Sequence, residues 1–287
     1  MKKLMTKKVI NNILCCLAVL LPLQINTNIK EISNNIEGLS AKVFISDAVK
    51  EDTAKVVLLD VNEDYCDTKC YLSQNIKTVE FLTKTFGVNK DEVIGDLVEI
   101  NKEGKLLANN IGRLTDGSGN LVEYSSFERG LVEYLYVYTS KYPERVDNTY
   151  VPYTGGPEYV ENLIKYFTKI YDNVDYNTVI SIGAAESGYY KVAYMLSVNN
   201  VYGGMGSGGL IRYKTIEYGI LSYVRYLSVN YYAKGLNTVE SIGYVYCPTR
   251  DANGNKIVSP HWVNLVYRAK AVYADTTNDI SVEVLNS

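Results

Sequence analysis

The chain has 287 residues, 29 Lys and Arg against 32 Asp and Glu, one histidine, five cysteines and a formal net charge of −3. That length has room for about two domains. The acidic excess lies wholly in residues 29–148 (21 acids, 14 bases), and residues 149–287 balance at 11 of each. An acidic first half and a neutral second half argue against nucleic acid as a partner, since phosphate contacts need clustered Lys and Arg, and against electrostatic attraction to anionic polymers, which leaves shape and stacking to do any targeting.

Residues 1–28 carry four lysines and no acid, followed by Ile13-Leu-Cys-Cys-Leu-Ala-Val-Leu-Leu-Pro-Leu23. A basic start before an apolar run reads as a secretory signal. The run is shorter than the roughly 18 residues that suggest a membrane span, and no small-x-small cleavage site follows it, so an uncleaved anchor is the alternative. Cys15 and Cys16 lie inside the run rather than after it, against a lipoprotein.

Residues 29–53 are polar and without a clear period, as in a linker or wrapped arm, and Ala54–Val61 suits a short strand. Cys66 and Cys70 bracket Asp-Thr-Lys. Outside the cell this spacing permits a short-loop disulfide, with two free thiols as the alternative. A zinc site lacks partners in a chain whose only histidine is His261. Apolar residues at helical spacing predict helices over Leu72–Phe86, Asp91–Ile100 and Phe127–Tyr142, and Asp116-Gly-Ser-Gly-Asn120 predicts a turn. Residues 29–150 thus read as a small, mostly helical module, either binding an extracellular polymer or a partner or extending the domain that follows.

Val151-Pro-Tyr-Thr-Gly-Gly-Pro157 marks the clearest boundary. A helix over Glu158–Tyr171 is followed by Ile180-Ser-Ile-Gly-Ala-Ala-Glu-Ser-Gly-Tyr-Tyr190, in which Glu186 is the only acid. Asp175 or Asn177 caps the start of this helix and Gly188 stops it. Glu186 then stands in the last turn, where the helix dipole and apolar neighbours both oppose ionisation. A carboxylic acid kept protonated near neutral pH is what a glycosidase uses to protonate a leaving sugar oxygen; an ordinary surface glutamate at a helix end is the bland alternative. Residues 203–209 hold five glycines but lack the Gly-Lys-Ser/Thr ending of a phosphate loop, and read as a hairpin tip. Further helices are expected over Thr215–Tyr232, Thr238–Val245 and Ser259–Tyr273, with residues 276–287 as an exposed strand or disordered tail. Of 27 tyrosines, 20 follow residue 148; a tyrosine offers sugars both a stacking face and a hydroxyl, although most are expected in the core. Trp262 reads as the anchor of the last helix, and Cys247, without a histidine pair to serve it, as a small packing residue rather than a nucleophile.

The ordered series Ala185-Glu-Ser187, Asn199-Asn-Val-Tyr-Gly203, Arg212-Tyr-Lys214, Tyr231-Tyr232, Tyr246-Cys-Pro248 and Trp262 resembles the peptidoglycan glucosaminidases (mannosyl-glycoprotein endo-beta-N-acetylglucosaminidase-like) of the lysozyme-like superfamily, over roughly residues 155–274. The resemblance implies a mainly α (α+β) fold, with a lysozyme-like helical domain at 151–275 bearing a small β-hairpin lobe. It implies an exported peptidoglycan hydrolase without cofactor or metal, whose partner is the wall glycan. The catalytic acid maps onto Glu186, and Ser187, Asn200, Tyr202, Tyr213 and Tyr246 onto the substrate cleft; for Asn200, turning the hairpin is the competing role. A two-carboxylate mechanism needs a second acid, yet residues 187–216 contain none, and Glu217, Glu240 and Asp251 are more distant candidates. Substrate assistance by the 2-acetamido group, or the lytic transglycosylase route, would remove that need. A muramidase and a non-catalytic wall-binding or assembly protein are the remaining alternatives.

Overall fold

In the computed structural model the described residues are 42–47 and 55–60, as backbone only, together with 67–102 and 106–285. The signal or anchor segment and Cys66, with its expected disulfide, lie outside them. The chain divides into two compact units, Met1–Asp67 and Thr68–Ser287. In the first, β1 (Lys42–Asp47) pairs antiparallel with β2 (Lys55–Asp60), Lys42 opposite Asp60 and Asp47 opposite Lys55. β2 is the strand expected at 54–61. β1 falls in the stretch expected to be linker; its Val-Phe-Ile centre is strand-forming and finds a partner eight residues on.

The second unit is mainly helical, as expected. Its helices are α1 (Thr68–Gln74), α2 (Ile76–Phe86), α3 (Lys90–Ile100), α4 (Phe127–Lys141), α5 (Pro157–Ile170), α6 (Tyr176–Ser187), α7 (Ala193–Ser197), α8 (Ile216–Asn230), α9 (Val239–Tyr246), α10 (Pro260–Val272) and α11 (Val282–Leu285). Two small antiparallel hairpins join them: β3 (Met205–Gly206) with β4 (Gly209–Leu210), and β5 (Pro248–Arg250) with β6 (Lys256–Val258). The first is the expected glycine hairpin. The second turns on Asp251, whose Oδ1 accepts the Asn253 and Asn255 amides at 2.8 and 2.9 Å, the Asx geometry that favours this residue in turns.

α6 is the central helix. Val179, Ile180, Ile182 and Ala184 are fully buried, as is Ser181, which suits a helix apolar on all sides. α5 packs on it from one direction and α10 from another, while α8 packs on α5. Asp175 caps its start by accepting the Thr178 amide at 3.1 Å, and Gly188 ends it in the left-handed region at φ 57°, the ends read from the sequence.

The division expected at 151–157 is corrected: residues 68–150 and 151–285 share one hydrophobic core. Phe81 of α2 meets the Tyr166 ring edge-on at 5.4 Å and stacks on Phe167 at 6.1 Å, both on α5. Glu133 of α4 receives Arg225 of α8 through two nitrogens, at 3.2 and 2.9 Å, and Arg129 one turn before it at 3.3 Å. The Pro- and Gly-rich stretch is no hinge, because Asn199 pins it. The Asn199 amide donates to the carbonyls of Val151 and Tyr213 at 2.9 Å each, and its Oδ1 accepts the Tyr153 N–H at 3.0 Å. The expected loose tail is also corrected: α11 lies against α5 and α2, with Val282 and Leu285 each only 7% exposed. These two apolar residues, one helical turn apart, find a groove that sequence period alone does not reveal. Among the described residues no helix is long and apolar enough to cross a membrane.

Candidate active site

Glu186 sits in the last turn of α6, half-buried. Its Oε1 accepts the indole N–H of Trp262, at the start of α10, at 2.7 Å. Burial raises its pKa above the ordinary carboxyl value, and the hydrogen bond from Trp262 offsets part of that rise. Among the described residues it forms no ion pair, and no charged group features among the causes of its shift. On its other oxygen the neighbour is backbone: a Cβ on Gly203, where φ is +68°, would lie 3.2 Å from Oε2. Glycine is thus favoured there twice, by the left-handed backbone and by the tight space in front of the carboxyl.

The turn behind Glu186 is unusual. Gly188, Tyr189 and Tyr190 all have positive φ, at 57°, 57° and 59°; for the two tyrosines this costs about 1–2 kcal/mol each. The turn drives Tyr190 under the helix, where it is fully buried and its hydroxyl donates to the Ile180 carbonyl at 2.5 Å. Burial of a ring of this size offsets such a cost. Ser187 completes the lock, donating to Gly183 O at 2.6 Å and accepting the Tyr190 N–H at 3.0 Å. With no exposed surface and both hydroxyl functions used, Ser187 fixes the helix end instead of contacting substrate, a correction to the sequence expectation.

Asn200 is likewise internal. Its amide donates to Gly204 O and Ile211 O at 2.9 and 2.8 Å, and its Oδ1 accepts the Gly204 N–H at 3.0 Å. Its side chain closes the base of the β3–β4 hairpin, so the turn role holds and the acetamido-binding role does not. Tyr202 is 1% exposed and stacks on Tyr223 with centroids 3.7 Å apart. It is a core residue and not part of a cleft wall; only its carbonyl reaches the site, accepting the Tyr246 hydroxyl. Tyr246 does belong beside the carboxyl: its ring lies 5.4 Å from that of Trp262, the residue that holds Glu186 Oε1. Tyr213 is half-buried, and its hydroxyl would lie 3.7 Å from a Cβ on Gly204, the glycine after the one facing Glu186.

The structure therefore brings Glu186, Trp262, Tyr246 and Gly203 together and draws Tyr213 to the next backbone step. Trp262 was read only as an anchor. The signal that would have found its second role is the buried indole N–H, which must have an acceptor. Gly243 makes its position possible: a Cβ there would stand 2.6 Å from both Trp262 Cζ3 and Val258 Cγ2. The candidate second carboxylates are engaged elsewhere. Glu217 accepts the Tyr159 hydroxyl at 2.7 Å, Glu240 that of Tyr267 at 2.9 Å, and Asp251 shapes its turn. Among the described residues no three His, Cys, Asp or Glu side chains converge as metal ligands would. Cys247 is half-buried, and burial and the nearby Glu186 charge push its thiol up, away from the thiolate a nucleophile needs.

The arrangement defines a mainly helical protein with a half-buried carboxyl, Glu186, held at a helix end by an indole N–H and without an ion pair among the described residues. No family model, curated protein or solved structure matches the chain.

Proposed function

We propose that this chain is an exported glycosidase that cuts the glycan strands of peptidoglycan, with Glu186 as general acid in a lysozyme-like helical unit. The observation that carries the reading is the Glu186 carboxyl: burial without a cation raises its pKa, one oxygen is fixed by Trp262, and the other faces a glycine. An acid so held keeps its proton to higher pH and presents it in a set direction. The Lys-rich start and apolar run support export; fusing residues 1–40 to a reporter active only outside the cytoplasm tests that part, and a silent reporter would reject it.

The engagement of Glu217, Glu240 and Asp251 by other groups supports a route with one protein carboxyl. In the favoured route the 2-acetamido oxygen of an N-acetylglucosamine unit attacks its own anomeric carbon. The C–O bond to the leaving sugar breaks, and the leaving oxygen takes the proton of Glu186. Water then adds to the anomeric carbon, returns one proton to the Glu186 carboxylate, and the acetamido group is restored. The same lone carboxyl equally supports the transglycosylase route, in which a muramic hydroxyl closes on its own anomeric carbon and returns the proton. Incubation of whole cell walls with the wild type and with Glu186→Gln tests the enzyme reading: lysis by the first alone is expected, whereas lysis by neither points to a wall-binding or assembly protein. Mass spectrometry of released fragments separates the routes, through reducing N-acetylglucosamine ends for the first and 1,6-anhydro-muramic ends for the second.

A further inference from the structure

Tyr213 also lines a cavity of about 600 Å³, a volume typical of small-ligand sites. Glu186 is not part of its wall. Tyr150, Tyr213 and Tyr218 supply aromatic surface, Arg212 and Lys214 supply two cations, and no Asp or Glu lines it. This pairing of cations stands out in a chain with net negative charge. Arg212 is exposed, lies over the Tyr150 ring at 4.8 Å, and has no carboxylate partner among the described residues. Tyr150 is a fixed platform, because its hydroxyl donates to the Ser197 carbonyl. Lys214 Nζ donates to Phe86 O at 2.5 Å, approaches Asp147 O at 3.5 Å and lies 4.8 Å from the centre of the Tyr218 ring, with no carboxylate partner among the described residues.

We propose that this cavity is a subsite for the carboxylate-bearing part of the wall glycan, a muramyl or stem-peptide carboxylate seated between Arg212 and Lys214 with its saccharide against Tyr150 and Tyr213. The inference rests on the glycan-cleaving reading for its choice of polymer. Its physical basis is independent of cleavage. An arginine stacked on a ring and free of acid partners is preorganised to fork onto a carboxylate. Burial lowers the Lys214 ammonium to about 8, so at neutral pH it keeps a charge that a bound carboxylate would offset; the acidic group nearest to it is Asp147, whose own carboxylate is held by Thr149. Gly203 faces the Glu186 carboxyl and Gly204, the next residue, faces the Tyr213 hydroxyl, and the lack of side chains at both leaves room for one polymer to pass.

The test is calorimetric binding to the full chain carrying Glu186→Gln, with and without Arg212→Gln. Three soluble probes are used: a neutral N-acetylglucosamine tetramer, a wall disaccharide with its muramyl carboxylate free, and the same disaccharide bearing its stem peptide. The expected result is a loss of about ten-fold for a carboxylate probe when Arg212 is replaced, weakened by added salt, with the tetramer unchanged. Loss for the free muramyl probe assigns the sugar carboxylate; loss confined to the peptide probe assigns the peptide. Unchanged binding of all three, an equal loss for the tetramer, or a parent protein that binds no carboxylate probe more tightly than the tetramer overturns the subsite. Lys214→Met gives a second reading in which melting is followed too, since its ammonium also ties Phe86 and Asp147. Because no arm requires cleavage, failure of the Glu186 assignment in the lysis assay would be seen separately.

Discussion

Burying Glu186 costs stability above its pKa, and the sign follows from where its proton goes. The unfolded chain holds this carboxyl at its ordinary 4.5, and burial holds it higher in the folded chain. Between those two values the folded state binds more protons, so stability falls as pH rises through the window. Above it, a carboxylate is buried without a cation. Glu186→Gln, whose amide oxygen still accepts the Trp262 N–H, is therefore expected to melt higher than the wild type at pH 7, with the difference fading below pH 4.5; denaturation at the two pH values measures it. The same variant is expected to lose about 10²–10⁴-fold in wall lysis. Trp262→Phe keeps a ring beside Tyr246 but removes the N–H that favours the ionised carboxylate. The alkaline limb of kcat/KM is expected to move to higher pH, and an unmoved limb would leave Trp262 with a packing role only.

Among the secondary elements, the α9–α10 contact is what holds the indole in place. Gly243→Ala puts a methyl group where Trp262 and Val258 already stand, and overpacking of this kind costs about 1–3 kcal/mol. Thermal melting should show that cost together with a loss of lysis, because the displaced ring carries the Glu186 hydrogen bond with it. The α11 helix makes a contrasting case. Leu285 is nearly buried, so Leu285→Ala should cost about 2 kcal/mol, the low end for a truncated core leucine in a short terminal helix, while kcat at a permissive temperature stays near that of the wild type.

Across the whole molecule, the unit beginning at Thr68 should unfold in one transition, because its core runs from Leu72 to Leu285 without a break. Residues 151–287 expressed alone are expected to lack a cooperative melt, since α5 then loses Phe81 and α8 loses the Glu133 carboxylate that pairs with Arg225. Glu133→Ala in the full chain leaves Arg129 and Arg225 facing each other without their anion. Loss of one partner of a buried pair costs about 3–5 kcal/mol; with the Arg225 side chain 35% exposed, solvent screening brings the expected loss nearer about 2 kcal/mol. Urea unfolding measures it, and two separate transitions in the wild type would contradict the single core.

Most helices were legible from the sequence because apolar spacing, Asp175 as cap and Gly188 as stop act within a few residues of one another. The glycine run announced the β3–β4 hairpin by the same local logic, and the small-residue helix singled out Glu186. What lay beyond sequence was the destination of each side chain. Ser187, Asn200 and Tyr202 belong to the same ordered series of motifs as Tyr213 and Tyr246, yet the left-handed turn at 188–190 and the base of the hairpin draw the first three inward, where their polar atoms or rings are used up. Trp262 reaches Glu186 across 76 residues of chain, and Asn199 ties 151–153 to 213 across a similar span. Helices, turns and caps were determined by short-range sterics and periodicity. Which carboxyls are left without a cation, and which tyrosines remain accessible, were decided only by tertiary packing, because both depend on what the rest of the chain places beside them.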